Sequence, residues 1–362
     1  MQVAGTNGKG SICTFLEAGL KAAGIRCGLY TSPHLVSWTE RIRIDSSPIA
    51  APELRRILET LQPLGLQFDL TPFELITAAA FVAFAEAGVE LAVLEVGLGG
   101  RLDATTCHPR RSLIGFASIG MDHAEVLGST AAAIAAEKAG VLEPGCRAFS
   151  ARQSPEVTAV LEAEAELRGA ELTWVEPLDP EAWNLGLAGA VQHRNGAVAL
   201  ALLQSLAAEG WPISNAAIRE GFIAARWPGR LQPWSWQGHS LLLDGAHNLP
   251  AAKQLRTELD ANPERHGLMP GPRHWVIGIL ANKQGPEMLA TLLAPGDRAW
   301  LVPVPDHASW SRAALVHAQP ELAHQVEEAP DLGTALQAST AAASGTVVVA
   351  GSLYLLGALL AG

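Results

Sequence analysis

The run Gly5-Thr6-Asn7-Gly8-Lys9-Gly10-Ser11 constrains the fold more than any other stretch of this chain. Glycines reach backbone angles that other residues avoid, so successive N–H groups can turn inward and cradle phosphate oxygens. Lys9 adds a positive charge, and Ser11 supplies a hydroxyl suited to Mg²⁺. Residues 12–23 read as an amphipathic helix whose N-terminus would face the anion. The spacing differs from the general phosphate loop, Gly-x-x-x-x-Gly-Lys-Ser/Thr. Two residues rather than four separate the outer glycines, and Gly10 is inserted between lysine and serine.

Beyond the loop, short apolar strands alternate with helical stretches, which predicts a mostly parallel sheet covered by helices. Residues 91–96 and 147–150 read as strands; 72–87, 131–140 and 195–208 read as helices. Residues 154–187 show only a weak pattern. The Trp- and Pro-rich segment 227–236 is the expected linker. After it the alternation restarts, with strands at 240–244, 275–280, 299–304 and 346–350 and a helix at 250–259. The expected organisation is a phosphate-binding α/β domain at 1–232 and a smaller α/β domain at 233–362. Only Met1 to Ala4 precede the loop, so the strand leading into it reads as a stub, either an unusually short edge or the remainder of a domain that starts upstream.

Charge and composition narrow the class of function. A formal net charge of -11 argues against a general nucleic-acid binder, so any anionic ligand must be met by local positive groups. No apolar run is long enough to span a membrane, and the N-terminus lacks signal-peptide architecture, which predicts a cytoplasmic protein. Cys13, Cys27, Cys107 and Cys146 lack metal-ligand spacing and read as free thiols.

Three polar residues fall where apolar ones are expected. Glu95 ends a buried-looking strand, the place where open α/β sheets bind ligands, so it is a Mg²⁺ candidate or a salt-bridged structural carboxylate. Taken alone, His123 reads as a structural histidine or a nitrogen ligand, and Lys138 as a solvated residue of an Ala-rich helix.

Several motifs occur in order along the chain. Gly5 to Ser11 is followed by Tyr30-Thr31-Ser32-Pro33-His34-Leu35, Glu40-Arg41-Ile42-Arg43-Ile44 and Glu95-Val96-Gly97-Leu98-Gly99-Gly100-Arg101-Leu102-Asp103-Ala104-Thr105. Then come Glu137-Lys138-Ala139-Gly140, Trp227-Pro228-Gly229-Arg230-Leu231 and Asp244-Gly245-Ala246-His247-Asn248. The ordered set resembles the folylpolyglutamate synthase/dihydrofolate synthase family of the Mur ligase superfamily. That resemblance implies a mostly parallel phosphate-loop ATPase domain followed by a Rossmann-like α/β domain.

It also implies an ATP-dependent ligase. ATP would phosphorylate the carboxylate of dihydropteroate or of a folate's terminal glutamate, and L-glutamate would attack the acyl phosphate. By the same resemblance, Gly5, Thr6, Asn7, Gly8, Lys9, Gly10 and Ser11 would hold the ATP phosphates. Ser11 and Glu95 would bind a first Mg²⁺ and His123 a second, beside a carbamylated Lys138. Asn195 would contact adenine; Arg230, Asp244 and His247 would reach the phosphates and ribose; Thr31, Ser32, Pro33 and His34 would meet the substrate. A monomer is implied.

Two local patterns depart from the family's. Val191 and Gly196 replace a His and an Ala around Gln192 and Asn195, and Asn282-Lys283-Gln284 stands where Asp-Lys-Asp is common. Two rival readings are a murein ligase and a catalytically silent ATP-binding homologue. The murein ligases share the loop, Glu, His and modified Lys but lack the Thr-Ser-Pro-His-Leu and Gly-Leu-Gly-Gly-Arg-Leu-Asp-Ala-Thr segments.

Overall fold

The structure is a computed structural model that describes residues 1–108, 111–343 and 345–362. The chain divides into two compact units, 1–227 and 228–362. In the first, the strands are β1 (Gln2–Ala4), β2 (Cys27–Tyr30), β3 (Ile42–Ile44), β4 (Ser47–Pro48), β5 (Leu91–Glu95), β6 (Leu113–Phe116), β7 (Arg147–Ala151) and β8 (Glu171–Val175). They form one sheet in the order β4-β3-β2-β5-β1-β6-β7-β8. All neighbours are parallel except β2 with β3 and β3 with β4.

The short strand ahead of the glycine loop is therefore no edge. β1 lies at the sheet centre, with Gln2 opposite Leu94 of β5 and opposite Ile114 of β6. Three residues suffice because Val3 and Ala4 are fully buried on opposite faces of the pleat. Strand order also reverses here, since β5 and β6 flank β1. Open α/β sheets form a ligand crevice at such a switch point, outside the carboxyl ends of the strands.

Helices cover both faces. On one side lie α1 (Lys9–Ala22), α7 (Val191–Ala208) and α8 (Asn215–Ala224), joined to the sheet through Phe15, Leu16, Leu20, Leu202, Leu203 and Phe222. The other side carries α2 (Ala51–Gln67), α3 (Pro72–Glu86), α5 (Ala131–Ala139) and α6 (Pro155–Arg168), with the short α4 (Ala124–Leu127) just before α5. The weakly patterned stretch 154–187 contains α6 and β8. Helix α6 is capped by Ser154, which accepts from Val157 N, but buries only Val157, Leu161 and Ala165, too thin a stripe for a clear period.

In the second unit, β9 (Gln232–Trp236), β10 (His239–Leu243), β11 (His274–Ile277), β12 (Arg298–Leu301), β13 (Val326–Glu328) and β14 (Val347–Ala350) form a sheet in the order β13-β12-β11-β14-β10-β9. Only β9 runs antiparallel to its neighbour. Part of the expected linker is thus an edge strand: Pro233 faces Leu242 on an edge, where a missing donor is tolerated. Helices α9 (Leu249–Ala261), α10 (Gly285–Leu292), α11 (Arg312–Ala318), α12 (Leu332–Ala342) and α13 (Leu353–Ala361) complete this unit. Among the described residues no helix is long and apolar enough to cross a membrane.

Candidate active site

The glycine loop leaves β1 and enters α1 in four residues. Gly5 and Gly8 take positive φ angles of 144° and 98°, where a side chain is strained. At Gly8 space forbids one as well, because a Cβ would come within 2.6 Å of Asn195 Oδ1. The first helical bond of α1 runs from Ile12 N to the Gly8 carbonyl (3.0 Å), so the N–H groups of Lys9, Gly10 and Ser11 lack intrahelical partners. The N-cap, Gly8, has no side chain with which to cap them, and no acidic residue lies in the first turn. Such a helix start favours an anion.

The loop is held to the end of β6. Thr6 N and Asn7 N both donate to the Ser118 carbonyl (2.8 and 3.2 Å). The Thr6 hydroxyl donates to Gly120 O (3.0 Å) and accepts from Gly120 N (3.1 Å). Lys9 folds back over the loop, with Nζ donating to the carbonyls of Gly5 (3.1 Å) and Thr6 (3.2 Å). Ser11 is buried in the first turn of α1.

Glu95, at the carboxyl end of β5, is only 5% exposed, and its Oε2 accepts from Ser32 N (3.1 Å). The Thr31 to His34 segment after β2 thereby meets the end of β5. Thr31 is buried, with its N–H on the Arg41 carbonyl (3.0 Å), and the Ser32–Pro33 peptide is cis. His34 Nδ1 accepts from Arg41 Nε (2.9 Å), while the Arg41 guanidinium sits 4.4 Å from the centre of the Trp38 ring. Burial and the Arg41 charge hold the His34 pKa below its usual value, partly opposed by Glu40. Arg41 and Trp38 were not singled out as site residues in the sequence.

His123 precedes α4 in a left-handed conformation (φ 51°), with its ring 3.9 Å from Asp122 and 3.7 Å from Glu125. Lys138 overturns its isolated reading as a solvated residue: it is 5% exposed, in the last turn of α5. Desolvation, reinforced by the nearby charge of Lys9, pulls its ammonium from 10.5 down to about 7, against the opposing pull of Asp122 and Asp103. These interactions bring Lys9, Lys138, Asp103 and Asp122 into one electrostatic neighbourhood.

Asp103 carries more of the architecture than the sequence suggested. One oxygen accepts from the N–H groups of Gly97 and Leu98 (both 3.0 Å), the other from Thr105 N (3.0 Å) and the Thr105 hydroxyl (2.5 Å). It thus fixes the glycine-rich turn after β5. The available signal was a carboxylate shortly after a buried strand end, within a run of turn-forming glycines.

Asn195 and Gln192 lie buried in the first turns of α7, with Asn195 Nδ2 donating to Gln192 Oε1 (3.0 Å). That helix starts at Val191, before the expected position, and the Asn195 amide rests against Gly8.

In the second unit, Arg230, Asp244 and His247 gather at the carboxyl end of β10. The Asp244 carboxylate accepts from Leu231 N (3.0 Å) and Ala246 N (2.9 Å). Burial raises its pKa, while Arg230 and those N–H groups oppose the shift. His247 Nδ1 donates to Gly245 O (2.8 Å), so in the neutral ring Nε2 is the acceptor. Lys283 lies in a turn after β11, its carbonyl accepting from Trp310 Nε1 (2.9 Å). Among the described residues no three His, Cys, Asp or Glu side chains converge as a ready-made metal cage.

Comparison with known proteins gives this geometry a context. Residues 230–361 match the family model described as dihydrofolate synthetase, C-terminal domain. The folylpolyglutamate synthase of Lacticaseibacillus casei is 33% identical over 393 residues, covering 99% of this chain and 88% of that protein. The dihydrofolate synthase/folylpolyglutamate synthase of Escherichia coli is 33% identical, covering 97% and 83%. Among solved structures, the Mycobacterium tuberculosis folylpolyglutamate synthase complexed with ADP and AMPPCP superposes with a TM-score of 0.90 at 29% identity, over 100% of this chain and 90% of that one. E. coli FolC in complex with DHPP and ADP gives 0.86 at 30% identity, over 99% and 87%. Sharing sequence and fold over nearly its full length with these enzymes, the chain belongs to the folylpolyglutamate synthase/dihydrofolate synthase family.

Proposed function

We propose that the protein is an ATP-dependent ligase that joins L-glutamate to dihydropteroate, to the γ-carboxylate of a tetrahydrofolate, or to both. A carboxylate resists attack by an amine until one of its oxygens becomes a good leaving group. Transfer of the terminal phosphoryl group of ATP makes an acyl phosphate and ADP; attack by the glutamate amine then forms the amide and expels phosphate.

The observation that carries this reading is the glycine loop that opens α1 with Lys9 folded over it, in a chain that shares sequence and fold with folylpolyglutamate synthases over nearly its whole length. The buried Lys138, whose pKa is lowered to about 7, adds a chemical role within that site. An amine whose pKa is lowered this far is available in its neutral form near physiological pH and can take up CO₂, forming a carbamate and releasing one proton. A cation would thereby become an anionic oxygen donor. Without that change, a second lysine beside Lys9 would attract phosphate but bind no metal.

The remaining donors suit a divalent ion such as Mg²⁺. Glu95 offers a buried carboxylate with one oxygen already fixed by Ser32 N, and Ser11 offers a hydroxyl at the helix start. His123 and the Lys138 carbamate would serve a second ion. Such ions, when bound, offset the repulsion between triphosphate and carboxylate. Thr6, Asn7 and Gly8 would line the phosphates with Lys9; Asn195 would lie near the nucleotide base; Arg230, Asp244 and His247 would contact its phosphates and ribose. Thr31, Ser32, Pro33 and His34 would border the pterin-bearing substrate.

The test is ADP formation with Mg²⁺ and L-glutamate, run in parallel with dihydropteroate and with tetrahydrofolate. Turnover of either, abolished by EDTA and restored by Mg²⁺, is expected. Nucleotide binding without turnover of either acceptor would overturn the assignment.

A further inference from the structure

Gly10, the residue inserted between lysine and serine, is not required by backbone conformation: it lies within α1 and is absent from the residues with positive φ. Space requires it. A Cβ there would meet Cζ2 of Trp227 at 2.9 Å, and Cε2 and Nε1 of the same ring at 3.0 Å. The edge of the indole therefore lies directly over the first turn of α1. Trp227 is half-buried and packs against the core that holds α1 to the sheet.

We propose that Trp227 is a positioning residue for the phosphate site, acting through Gly10. Glycine near a helix start leaves the backbone loose, and Gly8 and Gly10 fall within three residues of one another. Gly8 as N-cap contributes no side chain to restrain the turn. A rigid indole replaces that restraint, so the N–H groups of Lys9, Gly10 and Ser11 keep their aim. A loop with two residues fewer between its glycines than the general pattern has less wrap around phosphate, and the ring compensates by fixing the helix start.

This inference rests on the nucleotide-binding reading of the loop, and the experiment separates the two. ADP affinity by calorimetry, KM for ATP and KM for glutamate are measured for wild type, Trp227→Phe, Trp227→Ala, Gly10→Ala and the Gly10→Ala/Trp227→Ala double variant, with melting temperatures as a fold control. Trp227→Ala is expected to raise KM for ATP about tenfold and leave KM for glutamate unchanged, and Trp227→Phe to keep most of the affinity. Gly10→Ala alone should weaken ADP binding, while the double variant should bind no worse than Trp227→Ala, because the clash is gone. Multiplying single effects in the double variant, or equal changes in both KM values, overturns the role of Trp227. Failure of wild type to bind ADP overturns the nucleotide reading and this role together.

Discussion

At the scale of single residues, Lys138 is the most exacting test. Its ammonium has a pKa of about 7 in the folded protein against 10.5 for a free side chain, so folded chains release the proton first. Stability therefore rises as pH climbs from about 7 toward 10.5 and is lower below that window, where the charge is buried. Carbamate formation needs the neutral amine, so activity should fall as pH drops through about 7 and recover with added bicarbonate. A pH profile run with and without bicarbonate checks this; Lys138→Arg should be inactive at every pH, and an active Lys138→Arg would sink the carbamate. Gly8 is the second test. Alanine there combines a left-handed conformation costing about 1–2 kcal/mol with a clash on Asn195, so Gly8→Ala should lower the melting temperature and weaken ADP binding. Lys138 also shows where sequence reasoning stopped. Its own helix is Ala-rich and says nothing of depth. The turn after β5 closes over it, with Gly100 so near that a Cβ would lie 2.7 Å from the Lys138 carbonyl. Local periodicity cannot register a partner that arrives from elsewhere in the chain.

At the scale of elements, the strands and helices with strong periods were legible: β5, β7, α3, α5, β10 and α9 lie within a few residues of their expected spans. What escaped was set by partners rather than by pattern. β1 looked like a stub because three residues carry no period, yet pairing on both sides makes it central. β9 looked like a linker because Trp and Pro interrupt it, yet an edge strand accepts both. The glycine loop, Glu95 and Lys138 stand out in the sequence by residue type and position, whereas Asp103 lies inside a glycine-rich motif with no periodicity to mark its role. Asp103→Ala removes the acceptor for three N–H groups and a hydroxyl, so the turn over Lys138 should loosen. A drop in kcat/KM of at least about tenfold, equivalent to about 1.4 kcal/mol, is expected with the far-ultraviolet circular dichroism unchanged. Full activity would show that the turn is held by other means.

At the scale of the whole molecule, each unit has its own sheet and buried core, so damage to one should leave the other folded. Val3 has no solvent exposure and sits in the central strand of the first sheet. An unpaired carboxylate there costs several kcal/mol, comparable with the stability of a whole domain. Calorimetry of the two-unit Val3→Asp chain should lose the transition of the first unit and keep that of the second. Retention of both would mean that the centre of the sheet tolerates charge.

The central place of β1 also bears on the order in which this protein is made. Its neighbours in the sheet are residues about a hundred positions further along, so it can be seated only after β5 and β6 have left the ribosome. Until then the glycine loop has no strand to spring from and no Ser118 carbonyl to hold it. Nucleotide cannot assist the early steps of folding, and pairings this distant in sequence are slow to form. A synthesis intermediate stalled before Phe116 would leave the partners of β1 incomplete and their apolar surroundings exposed, an interval in which the nascent chain is open to aggregation.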